Sequence, residues 1–217
     1  MPRQIPLPLT TPAKLTRADF IVGPGNAAAV GFIDSWPSWT APAGALHGPA
    51  GSGKSHLAGV WADRAGAQTF EAGALTEEVL AGRGPLVIEN VDRAPLPPEA
   101  ERALFALLER GQNLLLTGHE RPAAWKVRLP DLISRFNALI AFPLWAPDEA
   151  LLKALAVKLF ADRQLTVPEA VVEEMLRSLE RSPAAIRDFV ARADAAALAA
   201  KRPVNLALIR HLLAEAG

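Results

Sequence analysis

The chain has 217 residues, half of them hydrophobic, with equal numbers of acidic and basic side chains and therefore no formal net charge. That length accommodates one compact α/β body with a smaller unit appended, while neutral charge removes the basic footprint of a protein that binds nucleic acid unaided. The absence of cysteine excludes disulfides, thiolate metal sites and a cysteine nucleophile, and the histidines at 47, 56, 119 and 211 lack metal-ligand spacing.

Residues 1 to 15 contain prolines at 2, 6, 8 and 12, which deny them helix and most ladder hydrogen bonds. They read as an extended tail without a signal-peptide profile. No apolar run approaches the roughly 18 residues of a membrane span, so the reading is a cytoplasmic protein with no membrane partner. Within the tail, Gln4-Ile5-Pro6-Leu7-Pro8-Leu9 is an apolar hexapeptide. It suits either an edge strand on its own body or a docking peptide for a partner's groove. Full burial of Leu7 or Leu9 would contribute about 1.5 to 3 kcal/mol each, so pairing of two copies through the tail is a further expectation.

Phe20, Ile21 and Val22 precede a tight turn, and Asn26 is placed to cap a helix over 27 to 35. Ala45, Leu46 and His47 then form the end of a short strand that runs into Gly48-Pro49-Ala50-Gly51-Ser52-Gly53-Lys54-Ser55, a complete G-x-x-x-x-G-K-[ST] loop. The helix expected over 55 to 64 supplies the strand-loop-helix context that this motif requires. Loop amides and the helix N-terminus would cradle phosphates, Lys54 would reach the outer ones, and the Ser55 hydroxyl would ligate Mg²⁺. His56 adjoins the loop and joins the nucleotide-binding set.

Further strands are expected at 67 to 71, 86 to 92, 113 to 118 and 137 to 142. Helices should cover 98 to 110 and 131 to 136, with a weak helical stretch at 76 to 81. The run Leu86-Val87-Ile88-Glu89 carries a carboxylate to the strand end, where it would hold Mg²⁺ through water. Asn90 occupies the next position, and an amide cannot act as a general base, so slow or absent hydrolysis is expected. Thr117 ends another buried strand at the same edge and is a candidate sensor of the terminal phosphate. Alternating strands and helices imply a parallel five-stranded sheet covered on both faces. From residue 148 onward every periodicity is helical, which gives four helices, the last capped by Asn205. The expected division is 1 to 15 tail, 16 to 145 nucleotide-binding unit and 146 to 217 helical lid.

An α/β P-loop unit followed by a small helical lid resembles the AAA+ ATPases. Phe20-Ile21-Val22-Gly23-Pro24-Gly25-Asn26, the phosphate loop, Leu129-Pro130-Asp131-Leu132-Ile133-Ser134-Arg135-Phe136 and Ala185-Ile186-Arg187-Asp188 are similar to segments of the DnaA family, and more closely of its short Hda branch. The resemblance implies that Ile21 and Val22 sit in the adenine site, that Arg187 is a sensor 2 arginine and that Arg135 is an arginine finger for a neighbour's nucleotide. It also implies that Gln4, Ile5, Leu7 and Leu9 grip the sliding clamp, the β subunit of DNA polymerase III. The implied activity is replication control by an adaptor that binds ADP, or ATP, docks on the DNA-loaded clamp and stimulates ATP hydrolysis by DnaA. Its own ATPase would be weak or absent. The sequence ends after the lid, so no helix-turn-helix for sequence-specific DNA binding is expected. Departures from the family are Glu89 for the usual aspartate, Asn90 for the adjacent acid, and Gly118-His119-Glu120 after Thr117. Competing readings are a P-loop ATPase or small-molecule kinase using Asp92 or Glu120 as its acid, and a scaffold that recruits DnaA without triggering hydrolysis.

Overall fold

The computed structural model describes residues 16–215, so the tail segment with Gln4, Ile5, Leu7 and Leu9 lies outside the described residues. Five strands, β1 (Ala43–His47), β2 (Gln68–Glu71), β3 (Leu86–Glu89), β4 (Leu114–Gly118) and β5 (Ile140–Pro143), form one sheet in the order β2-β3-β4-β1-β5. Every pairing is parallel. Parallel neighbours require crossovers, and these are supplied by α2 (Lys54–Ala65), α3 (Pro98–Glu109) and α4 (Pro130–Ala138), with 3₁₀ turns alone between β2 and β3; α1 (Ala27–Asp34) precedes β1 and packs beside α2.

The inner strands are apolar on both faces, whereas the edge strand β2 is mostly exposed, and the two-residue period sorts side chains between two cores. Leu86, Ile88, Leu114 and Leu116 point to one side with Leu104, Leu107, Leu132 and Phe136 of α3 and α4. Val87, Leu115 and Leu46 point to the other with Ile33, Leu57 and Trp61 of α1 and α2. Trp61 stacks on Trp39 at 4.9 Å between ring centroids, and Trp39 stacks on Phe32 at 4.2 Å, which seals the outer edge of the second core.

Beyond β5 the chain is helical: α5 (Glu149–Asp162), α6 (Glu169–Ser178), α7 (Pro183–Ala200) and α8 (Leu206–Ala214). Their apolar stripes meet in a third core that includes Leu155, Met175, Phe189, Val190 and Ile209. Asp148, Ser182 and Asn205 each accept a bond from a backbone N–H three residues on, so three of these four helices begin with a side-chain cap.

Several boundaries differ from the sequence expectation for local reasons. Asn26 does not cap α1: its Oδ1 accepts from Gly23 N at 2.9 Å and its Nδ2 donates to the Ile21 carbonyl at 3.0 Å, so it closes the preceding turn. The weak helix near residue 76 is a 3₁₀ segment, Glu77–Ala81. Helix α4 continues to Ala138, which delays β5 to Ile140.

One buried charge fixes the approach to α4. Glu101 of α3 is 4% exposed, and its carboxylate accepts from Arg128 N at 3.0 and 3.1 Å and from Leu129 N at 2.9 Å. Those bonds offset its desolvation and hold the two residues before α4. Glu101→Leu leaves both amides unpaired, and urea unfolding should show a loss of about 2 to 3 kcal/mol.

Candidate nucleotide-binding site

The glycine-rich loop connects β1 to α2 at the carboxyl edge of the sheet, where open parallel sheets bind ligands. Gly48 has φ 150°, and a Cβ there would stand 1.9 Å from the Leu144 carbonyl oxygen, so only glycine fits. Gly53, at φ 99°, is the residue before α2. Lys54 is the first residue of that helix and is 7% exposed; its Nζ donates to the carbonyls of Gly48 at 2.7 Å and Pro49 at 2.8 Å. Burial pushes its pKa down, while Asp92 and Glu89 favour the charged form. Ser55 follows and is exposed.

A narrow, open cleft lies beside the loop. Phe20 and Ile21 from the entering segment, Ser52, Gly53 and His56 from the loop and α2, and Leu151, Pro183 and Arg187 from the helical unit all line it. Its apolar side chains suit a planar base, Ser52 and Gly53 bring the loop to it, and Arg187 supplies a cation from the helical unit. Val22, expected beside Ile21, is instead 48% exposed and does not line the cleft. Two polar atoms bordering the cleft, Ser52 Oγ and Arg187 Nε, are buried without a hydrogen-bond partner among the described residues. Buried polar atoms of this kind take a partner from a ligand or an ordered water.

Arg187 Nη2 lies 3.3 Å from His56 Nδ1, and His56 Nε2 lies 2.9 Å from the Thr16 carbonyl oxygen. Burial lowers the pKa of His56; the bond to Thr16 opposes this and the Arg187 charge reinforces it. Burial likewise lowers that of Arg187, against Asp19 and Asp188.

At the ends of β3 and β4 the candidate catalytic residues form a network of their own. Thr117 is 1% exposed, and its Oγ1 accepts from Asn90 N at 3.1 Å. Asn90 has φ 59°, and its Nδ2 donates to both carboxylate oxygens of Glu71 at 3.0 Å. Glu71 faces Glu89 in the β2-β3 register. Asp92 is occupied as a backbone acceptor, taking bonds from His119 N at 2.9 Å and Glu120 N at 2.7 Å. One hydroxyl, Ser55, and one carboxylate, Glu89, suit a Mg²⁺ ion that keeps waters and phosphate oxygens as its other ligands. Among the described residues no cluster of three or more His, Asp or Glu could hold a metal by itself.

Arg135 stands apart from the cleft on α4, half exposed, and forms an ion pair with Glu109 of α3. Glu71, Glu101 and Glu109 escaped the sequence reading, because each matters through a partner that only the strand order or helix packing supplies.

No family model matches the chain. Among solved structures it is similar to domain III of the Thermotoga maritima replication initiation protein DnaA, with 19% identity, a TM-score of 0.77, and coverage of 94% of this chain and 97% of that one. AMPPCP-bound DnaA from Aquifex aeolicus matches at 17% identity and a TM-score of 0.68, over 82% of this chain and 64% of that one. The Thermotoga maritima RuvB Holliday junction branch migration motor matches at 21% and 0.62, over 77% and 59%. At these identities the likeness establishes the fold, that of the AAA+ domains of DnaA and RuvB.

Two outcomes check the site's electrostatics. Asn90→Asp sets a carboxylate against Glu71, so its melting temperature should fall by the equivalent of about 1 kcal/mol and recover when Glu71→Gln is added. Asp19 is held down at about 2, chiefly by the Thr16 hydroxyl and then its N–H, with Lys158 of α5 assisting. Because the folded value lies below the unfolded one of about 3.9, its stabilisation is present above that pH and lost as pH falls toward 2. Acid unfolding of Asp19→Asn should lack that component.

Proposed function

We propose that the protein is a replication-control adaptor of the Hda type. It binds ADP, or ATP with Mg²⁺, in the cleft between the sheet unit (16 to 145) and the helical lid (146 to 217), and supplies Arg135 to the ATP of a DnaA molecule. The observation that carries the reading is the cleft itself. Ser52 and Gly53 of a complete phosphate loop, a mostly apolar lining and an arginine from the lid meet at one opening, and two buried polar atoms beside it lack partners among the described residues.

On this reading the loop amides and α2 N-terminus hold the phosphates, Ile21 and Leu151 enclose the base, and Lys54 leaves its loop carbonyls for a phosphate oxygen. Magnesium, when bound, neutralises phosphate charge, with Ser55 and Glu89 as its protein-side donors. Asn90 is no general base, and Asp92 is engaged by two backbone amides, so two of the positions best placed to activate water are not free to do so. Nucleotide is then a ligand that fixes the lid, and hydrolysis occurs on the partner. Arg135 lies on an exposed helix face, where its guanidinium would neutralise charge developing on the γ-phosphate of DnaA. The tail residues Gln4, Ile5, Leu7 and Leu9 would anchor the adaptor to the sliding clamp.

The test is hydrolysis of ATP by purified DnaA, with DNA-loaded clamp and this protein added. Arg135→Ala should abolish stimulation while retaining nucleotide, and Lys54→Ala should lose nucleotide. Stimulation by Arg135→Ala equal to wild type would sink the proposal, as would clamp binding unaffected by Gln4→Ala with Leu7→Ala.

A further inference from the structure

Among the described residues, His56 is the side chain that bridges the phosphate-loop helix and the lid arginine. It is the third residue of α2, and its imidazole is held on three sides. The Thr16 carbonyl oxygen lies 2.9 Å from Nε2, Arg187 Nη2 lies 3.3 Å from Nδ1, and the Phe20 ring meets it edge-on at 5.1 Å between centroids. A guanidinium has only N–H groups to offer, so Nδ1 must present its lone pair to Arg187. The proton of the neutral ring then sits on Nε2 and is donated to Thr16. Both ring nitrogens are thus used, one toward the lid and one toward the segment entering the sheet unit.

Arg187 needs such a partner. It rises from the second turn of α7 into the cleft on a long, rotamer-rich side chain, and its Nε is buried without a partner among the described residues. Asp19 and Asp188 act on its charge through space, but no hydrogen bond from either is formed with it. An arginine left to wander would lose entropy on meeting a phosphate, whereas one already held loses little.

We propose that His56 is a positioning residue: it orients the Arg187 guanidinium in the cleft and acts on nucleotide through Arg187. The inference rests on the nucleotide reading above. It goes beyond it by assigning the residue after the phosphate loop a task at the lid.

The test is the affinity of the full chain for a fluorescent ADP. His56→Asn places an amide oxygen near the position of Nδ1 and keeps the acceptor for Arg187; His56→Gln places an amide nitrogen near Nε2 and keeps the donor for Thr16. His56→Ala should weaken binding about tenfold, the worth of one hydrogen bond to a charged group. His56→Asn should bind close to wild type, His56→Gln as weakly as alanine, and His56→Ala should add nothing in an Arg187→Ala background. Rescue by glutamine instead of asparagine, wild-type affinity in His56→Ala, or additive losses in the double variant would each overturn the assignment. If the alanine variant does not fold, the asparagine and glutamine pair decides alone. Lys54→Ala reports on the premise separately: undiminished ADP binding there refutes the nucleotide site and the inference with it, whereas binding lost in Lys54→Ala but wild-type in His56→Ala refutes the role of His56 alone.

Discussion

The contact on which the architecture turns is the approach of the Leu144 carbonyl to Gly48. Here β1 ends, the phosphate loop begins and the chain leaving β5 heads for the helical unit, all within one van der Waals layer. Leu144 N donates to the His47 carbonyl at 2.7 Å, and Gly48 N donates to the Gly118 carbonyl at 3.2 Å. Three strands are therefore tied together at the point where the loop departs. A side chain at position 48 would push β5's exit outward and shift everything carried on it, from Trp145 to α5. The first glycine of the motif thus serves the joint between the two units as much as it serves a phosphate.

From that joint the cleft follows. Leu151 packs over Gly23 at 3.3 Å from where its Cβ would be, and Ser182 stands 3.4 Å from the equivalent point on Gly51. The helical unit touches both the segment before the sheet and the phosphate loop at residues without side chains. Lys158 of α5 reaches Asp19 at 3.3 Å, and Arg187 of α7 reaches His56. Residues 16 to 20 accordingly act as a strap gripped from both sides. Exposed pairs such as Arg17 with Asp34 contribute little on their own, but they fix the strap's path over α1.

What could be read in the residues was what depends on near neighbours in the chain. The unbroken apolar run Leu86-Val87-Ile88 and the helical spacing of Leu152, Leu155, Ala156 and Leu159 mark a buried strand and a helix that the structure contains, although β3 stops at Glu89 instead of running to 92. The phosphate loop announces itself because one short segment carries all its chemistry. Asn26 misled because a side chain amide can bond forward to a helix or back to a turn, and the competing Gly23 and Ile21 groups are equally local. Glu71 was invisible because its meaning comes from the order β2-β3-β4, which places it opposite Glu89 and within reach of Asn90. Nothing in a run of residues states which strand lies beside which.

The two faces of the sheet also separate two tasks. The phosphate loop's helix α2 packs with α1 in one core, whereas α4 and its Arg135 pack through Leu132 and Phe136 in the other. Glu101 of α3 secures the start of α4 on that same face, away from the cleft beside the loop. The pose of Arg135 is thus set by the sheet unit's own packing and by its ion pair with Glu109, whatever occupies the cleft. The proposed nucleotide residues Lys54 and Arg187 lie on the other side, at α2 and the helical unit. If the protein is the proposed adaptor, this division serves it, because the face that presents Arg135 does not have to move when the lid does.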